Sequence, residues 1–267
     1  MVDNFAKLVC GVTGSAGSFA GIASHLHTSL KGVVTEIVKL PGESPERIAL
    51  YGPFLGRSVL ELTYTALVGR LDPFRLLVLR EIQMQFSIND GTVLGERYQA
   101  AIQWSGDIRP MKEGESADLW SPTKTIDKMH RSLFGKYYEQ IFWIPAFTAV
   151  IDSLTGAHQG AWFDELRKIT PEAFTPRSRG DSDRTYSSLS KGIHHEFVIP
   201  PETFYSPKTV FELLKDSFRL ASNCALVCHA VPTCHRSVPL NEALALYAAV
   251  QSIENILCLP TPQTIQT

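Results

Sequence analysis

No stretch of this chain approaches the roughly 18 uninterrupted apolar residues that a membrane span requires, so no spanning helix is expected. Charge of one sign is also missing: 25 Lys and Arg stand against 27 Asp and Glu, for a formal net charge of -2. That balance excludes a uniformly basic nucleic-acid binder and leaves room only for a local basic groove. The five cysteines are an odd number without a repeated framework. They read as reduced thiols of a cytoplasmic protein. The Gly-, Ala- and Ser-rich opening lacks the lysine that a phosphate-binding loop over residues 11–18 would need. Gly11, Gly14, Gly17 and Gly21 break it too often for a secretory core, so close packing is its expected use. Strand-like alternation is confined to residues 85–88 and 195–199.

What is present is helical punctuation. A capping residue precedes proline at Ser44-Pro45, Asp72-Pro73, Ser121-Pro122, Thr170-Pro171 and Ser206-Pro207. The side-chain oxygen can satisfy an orphan N–H, and proline at the first helical position has no N–H to lose. Glu46 and Glu172 add negative charge where the helix dipole favours it. With 267 residues, 44% of them hydrophobic and 19% charged, the expected fold is all-α. It is a single-domain helical bundle with long irregular connections. Residues 1–44 are read as a small-residue-rich segment packed on the bundle, 45–258 as the bundle and 259–267 as a tail.

The central helix is expected over residues 45–71, with Pro53 as a kink. Leu55, Val59, Leu60, Leu62, Ala66 and Leu67 make it apolar on more than one side. Arg57 and Glu61, four residues apart on that background, are expected to pair away from solvent rather than decorate a surface. A shorter helix over 72–85 and a long connection over 86–120 should follow. Helical patterns then run over 121–151, with a bend at Pro145, over 206–231 and over 239–258. Residues 174–184 read as a polar loop leading into the next helix.

In that helix Tyr186, Ser190 and His194 recur every four residues and share a face. A phenol, a hydroxyl and an imidazole in a row, flanked by Leu189 and Ile193, suggest a semi-buried network for which Arg57 and Glu61 are natural partners. Arg184 and Lys191 add positive charge beside it.

Arg57-Ser-Val-Leu-Glu61 on an early helix and Tyr186-Ser-Ser-Leu-Ser190-Lys-Gly-Ile-His194 much later resemble a pattern in bacterial helical-bundle proteins similar to the HEPN superfamily (higher eukaryotes and prokaryotes nucleotide-binding). Many members are toxin or antiviral ribonucleases that dimerise around one cleft. The resemblance implies a metal-independent ribonuclease-like effector of a bacterial defence or toxin system, acting on RNA as a homodimer or with a defence-system partner protein. RNA cleavage of this kind needs a base for the 2′-OH and a cation for the developing phosphorane. His194 suits the first and Arg57 or Arg184 the second. Tyr186 and Ser190 would orient the imidazole or the phosphate, with Glu61 in the same network and Lys191 among the substrate contacts. The family's usual Arg, four to six residues before a His, is absent.

A second reading makes the same residues a structural core network in a non-catalytic helical protein-interaction module. No cofactor is expected. Cys224, Cys228, Cys234 and His235 are zinc-ligand types, but their spacing is not that of a knuckle, and free cysteine commonly packs as a small hydrophobe. No metal is therefore expected there.

Overall fold

The computed structural model describes residues 1–12, 14, 17–78, 80, 133–192 and 205–258. Among these the fold is all-α. Its helices are α1 (Val2–Cys10), α2 (Ala20–Lys39) and α3 (Pro45–Leu71), then a short helical stretch at 73–78. A turn at Lys136–Tyr138 and a π-helical turn at Glu139–Trp143 lead into α4 (Ile144–Ser153). The remainder are α5 (Ala161–Leu166), α6 (Pro171–Lys191), α7 (Pro207–His229), α8 (Leu240–Val250) and α9 (Ile253–Ile256). No described helix is long and apolar enough to cross a membrane.

Two of the proline-preceding caps work as their chemistry requires. Ser44 and Ser206 each open a helix by accepting a hydrogen bond from a backbone N–H three residues on, at 3.4 and 3.2 Å. Thr170 precedes its proline without a side-chain cap. Asp72 instead holds the buried Arg75 at 2.7 Å. Ser121-Pro122, the two strand candidates, the 86–120 connection and the 259–267 tail lie outside the described residues.

α3 is the axis of the bundle, with α2, α6 and α7 packed around it. It carries Pro53 internally, which removes one helical donor, and small residues where neighbours press closest. A Cβ on Gly52 would meet Val210 at 2.2 Å, and one on Gly56 would meet Leu214 at 2.9 Å. Their missing side chains are what let α7 lie against α3. Phe5, Leu67, Trp143, Phe147, Phe174, Phe218 and Tyr247 fill the surrounding core.

Two expectations are corrected. Residues 174–184 are not a polar loop: they lie within α6, despite Pro176 and Gly180. The reason lies in the buried face, where Phe174, Thr175, Ser178, Ser182, Thr185 and Leu189 recur at helical spacing. Small hydroxyl residues occupy core positions that an apolar pattern would not reveal, and Tyr64 bonds Ser182 there at 2.6 Å. The C-terminal helix expected over 239–258 is also interrupted: α8 stops at Val250 and α9 restarts at Ile253.

Candidate functional site

α3 and α6 bring Arg57, Glu61 and Tyr186 together. The Arg57 Nε–H donates to Glu61 Oε1 at 2.9 Å, and the Tyr186 hydroxyl donates to the same oxygen at 2.8 Å. The guanidinium also lies over the Tyr186 ring, 4.7 Å from its centroid. Burial works against the Arg57 charge, but the hydrogen bond and charge of Glu61 outweigh it and hold the Arg57 pKa above its ordinary value. Tyr186 is buried, while the Arg57 and Glu61 side chains are 30% and 27% exposed. The pair is therefore half-buried and tied across two helices, which is more than an intrahelical surface contact.

Ser190 does not join this group through its hydroxyl, which donates to the backbone oxygen of Tyr186 at 2.8 Å within its own helix. Arg184 is turned to solvent and pairs with Asp181. Lys191 is exposed at the end of α6. His194 lies outside the described residues, so its relation to the cluster is not part of this geometry. Replacing Glu61 by Ala is expected to lower unfolding free energy by about 1–3 kcal/mol, because it removes the shared acceptor from both partners. A double-mutant cycle with Tyr186→Phe should show coupling of at least about 0.5 kcal/mol. Additive effects in denaturant melts would mean that the two side chains act independently.

Glu61 also faces a groove between α2 and α3, a cavity of about 680 Å³. Its α2 wall carries Ile22, His25, Leu26 and Val33, its α3 wall Phe54, Ser58, Leu62 and Thr65, and Leu76 and Arg80 beyond α3 line it as well. The spacings on both walls are helical, so the groove follows the helix axes. From Phe54 to Thr65 it extends about 16 Å at the α-helical rise. Phe54 stands exposed at its mouth, and Leu50 and Tyr51 continue the apolar surface one turn back.

A second polar centre escaped the sequence reading. Arg70, 1% exposed, directs every N–H of its guanidinium to an acceptor. Nε donates to the His235 carbonyl at 3.1 Å, and Nη1 to the Leu8 and Val9 carbonyls at 3.4 and 2.9 Å. Nη2 donates to His229 Nδ1 at 3.1 Å and to Ser237 Oγ at 3.3 Å. The Leu8 and Val9 carbonyls end α1 and have no intrahelical donor of their own, so a buried cation satisfies them and complements the dipole. His229 Nδ1 also accepts from the Val238 N–H at 3.1 Å, which leaves Nε2–H to donate to Leu8 at 2.8 Å. The imidazole is thereby held neutral. Burial first, then the Arg70 charge, press its pKa down to about 3.

Beside this centre Cys228 and Cys234 lie with their sulfurs 3.2 Å apart. Cys224 is buried higher on α7, and His235 takes part through its backbone. Among the described residues no three Cys, His, Asp or Glu side chains gather in a way that could hold a metal. The signal for Arg70 was a lone arginine after Ala66-Leu67-Val68-Gly69, but its acceptors are mostly backbone atoms, which no residue pattern announces.

No family model, no curated protein and no solved structure matches this chain.

Proposed function

We propose that this chain is a non-catalytic helical binding module and that the groove beside Glu61 receives an amphipathic helix of a partner protein. The groove itself carries the reading. It is about 16 Å long at the helical rise, lies mainly between α2 and α3, and is open at Phe54. A third helix with apolar anchors at successive turns matches that shape, as in other helix-in-groove recognition. The apolar anchors belong at the end walled by Val33 and Phe54, and polar groups at the end where His25, Glu61, Thr65 and Arg80 line the groove. The bonding of Arg57, Glu61 and Tyr186 to one another supports the same reading, since it commits them to joining α3 and α6.

The test uses a fluorescein-labelled amphipathic Leu/Lys model helix as probe. Phe54→Glu should weaken its binding at least tenfold with an unchanged circular dichroism spectrum. Ile141→Glu, an equally exposed apolar site elsewhere, should leave binding unaltered. Equal affinity in all three proteins would refute the docking site. Sedimentation of the protein as a dimer that Phe54→Glu dissociates would reassign the groove to a second copy. RNA cleavage by the wild type, abolished in Arg57→Ala at unchanged melting temperature, would replace this reading with the ribonuclease effector.

A further inference from the structure

The end of α7 and the turn after it place two free thiols in contact inside the wall of the bundle. Cys228 sits in the last turn of α7 and is fully buried; Cys234 lies six residues on and is 8% exposed. Their sulfurs, 3.2 Å apart, are closer than two unbonded sulfurs ordinarily rest. The intervening chain is already folded back on itself, with the Cys234 N–H donating to the Val231 carbonyl at 3.0 Å. Movement of about 1 Å would bring the pair to the roughly 2.05 Å of a disulfide bond. Contact between two cysteines this near in sequence would follow from packing alone. The surroundings are what distinguish it.

Arg70 is buried, and the acceptors of its guanidinium N–H groups are three carbonyls, an imidazole nitrogen and a hydroxyl, all neutral. A buried guanidinium without a counter-charge is costly. Among the described residues the thiols of Cys10, Cys228 and Cys234 all feel its charge, and Cys234 is the one drawn below its ordinary range. The Cys228 hydrogen bond, then the Arg70 charge and the Ser237 hydroxyl, outweigh burial and draw its thiol down to about 6. Burial pushes Cys228 the opposite way. Of the two sulfurs only Cys234 belongs to a residue that keeps any exposure, so it is the one a small disulfide meets first, while Cys228 is held behind it as a thiol.

We propose that Cys228 and Cys234 form a thiol–disulfide exchange site whose reaction partner is a low-molecular-weight disulfide of the glutathione type. The Cys234 thiolate attacks one sulfur of the small disulfide, forming a mixed disulfide and expelling one small thiolate, which takes up a proton. The Cys228 thiol then loses its proton and its sulfur attacks Cys234 Sγ. This forms the Cys228–Cys234 bond, breaks the mixed disulfide and releases the second small thiol. The protein loses two hydrogens and two electrons, and the small disulfide gains them as two thiols. The new bond ties the turn that presents the His235 carbonyl and the Ser237 hydroxyl to Arg70 onto the end of α7. This assignment is independent of the groove.

The experiment uses the full chain carrying Cys258→Ser, because Cys258 is exposed and would react on its own. The folded protein is incubated with oxidised glutathione, quenched in acid, unfolded and alkylated, then mapped by mass spectrometry. The expected product has two fewer alkylatable thiols, no added glutathione and a link joining Cys228 to Cys234, reversed by dithiothreitol. Cys228→Ser should instead retain glutathione on Cys234, and Cys234→Ser should give neither product. Cys228 and Cys234 both remaining alkylatable under conditions that fully modify Cys258 in the unaltered chain would overturn the proposal. So would glutathione persisting on Cys234 beside an intact Cys228, or a link to Cys10 or Cys224. Formation of the same link at the same rate in guanidinium would show that sequence proximity, not the folded site, drives it.

Discussion

Arg70→Met is expected to destabilise the protein by about 3 kcal/mol, the upper end of the cost of leaving a buried polar group without its donor. Methionine restores much of the volume but none of the donors. The Val9 and His235 carbonyls would lose the guanidinium, Ser237 would lose a donor, and His229 Nδ1 would keep only the Val238 N–H. Each buried polar group left short of a partner costs about 1–3 kcal/mol, and the losses overlap because all share one site. Lysine would keep the charge without the fork, so Arg70→Lys should recover only part of the loss. Urea melts would decide it: a variant within about half a kcal/mol of wild type would mean that the site relaxes without its cation.

Acid should weaken the fold before carboxylates dominate the titration. His229 has a folded pKa of about 3, against an unfolded value near 6.5. The unfolded chain therefore binds the extra proton between these values. The contribution of neutral His229 is fully present above about pH 6.5 and is lost progressively as pH falls toward 3. From pH 6.5 to 5 the linkage amounts to about 1.5 kcal/mol. His229→Gln can still offer an N–H and a carbonyl oxygen, and it does not titrate. The wild type should lose stability over that interval while His229→Gln stays nearly flat. Parallel pH curves for the two proteins would place the sensitivity elsewhere.

The contrast between Arg57 and Arg70 explains how far a sequence can be read here. Arg57 and Glu61 are one helical turn apart, and Tyr186 belongs to a row with its own period, so their meeting could be anticipated from side chains alone. The bounds of α3 were legible for a similar local reason: Ser44-Pro45 opens it and Asp72-Pro73 follows it. Arg70 depends on acceptors drawn from residues 8, 9, 229, 235 and 237, and three of these are carbonyls that any residue could supply. α6 was obscured in another way. Ser178, Ser182 and Thr185 look solvated in a pattern built on apolarity, yet they face the core and pack at close range. His194, which the catalytic expectation needed most, lies outside the described residues.

The Arg70–His229 centre also sets a clock on biosynthesis. The Leu8 carbonyl and the His229 imidazole that donates to it are separated by 221 residues of chain. At the usual 5–20 residues per second, a ribosome takes on the order of 10–45 s to bridge that distance. Throughout that interval α1 has no imidazole with which to close its C-terminal turn, although Arg70 is made much earlier. α2 and α3 can pack on α1 early, but the Phe5 side of its apolar face must wait, because Phe5 packs on Phe218 at 4.8 Å between ring centroids. A nascent chain halted before residue 218 should therefore keep the Phe5 side of α1 open to chaperone binding, and release past residue 238 should close it.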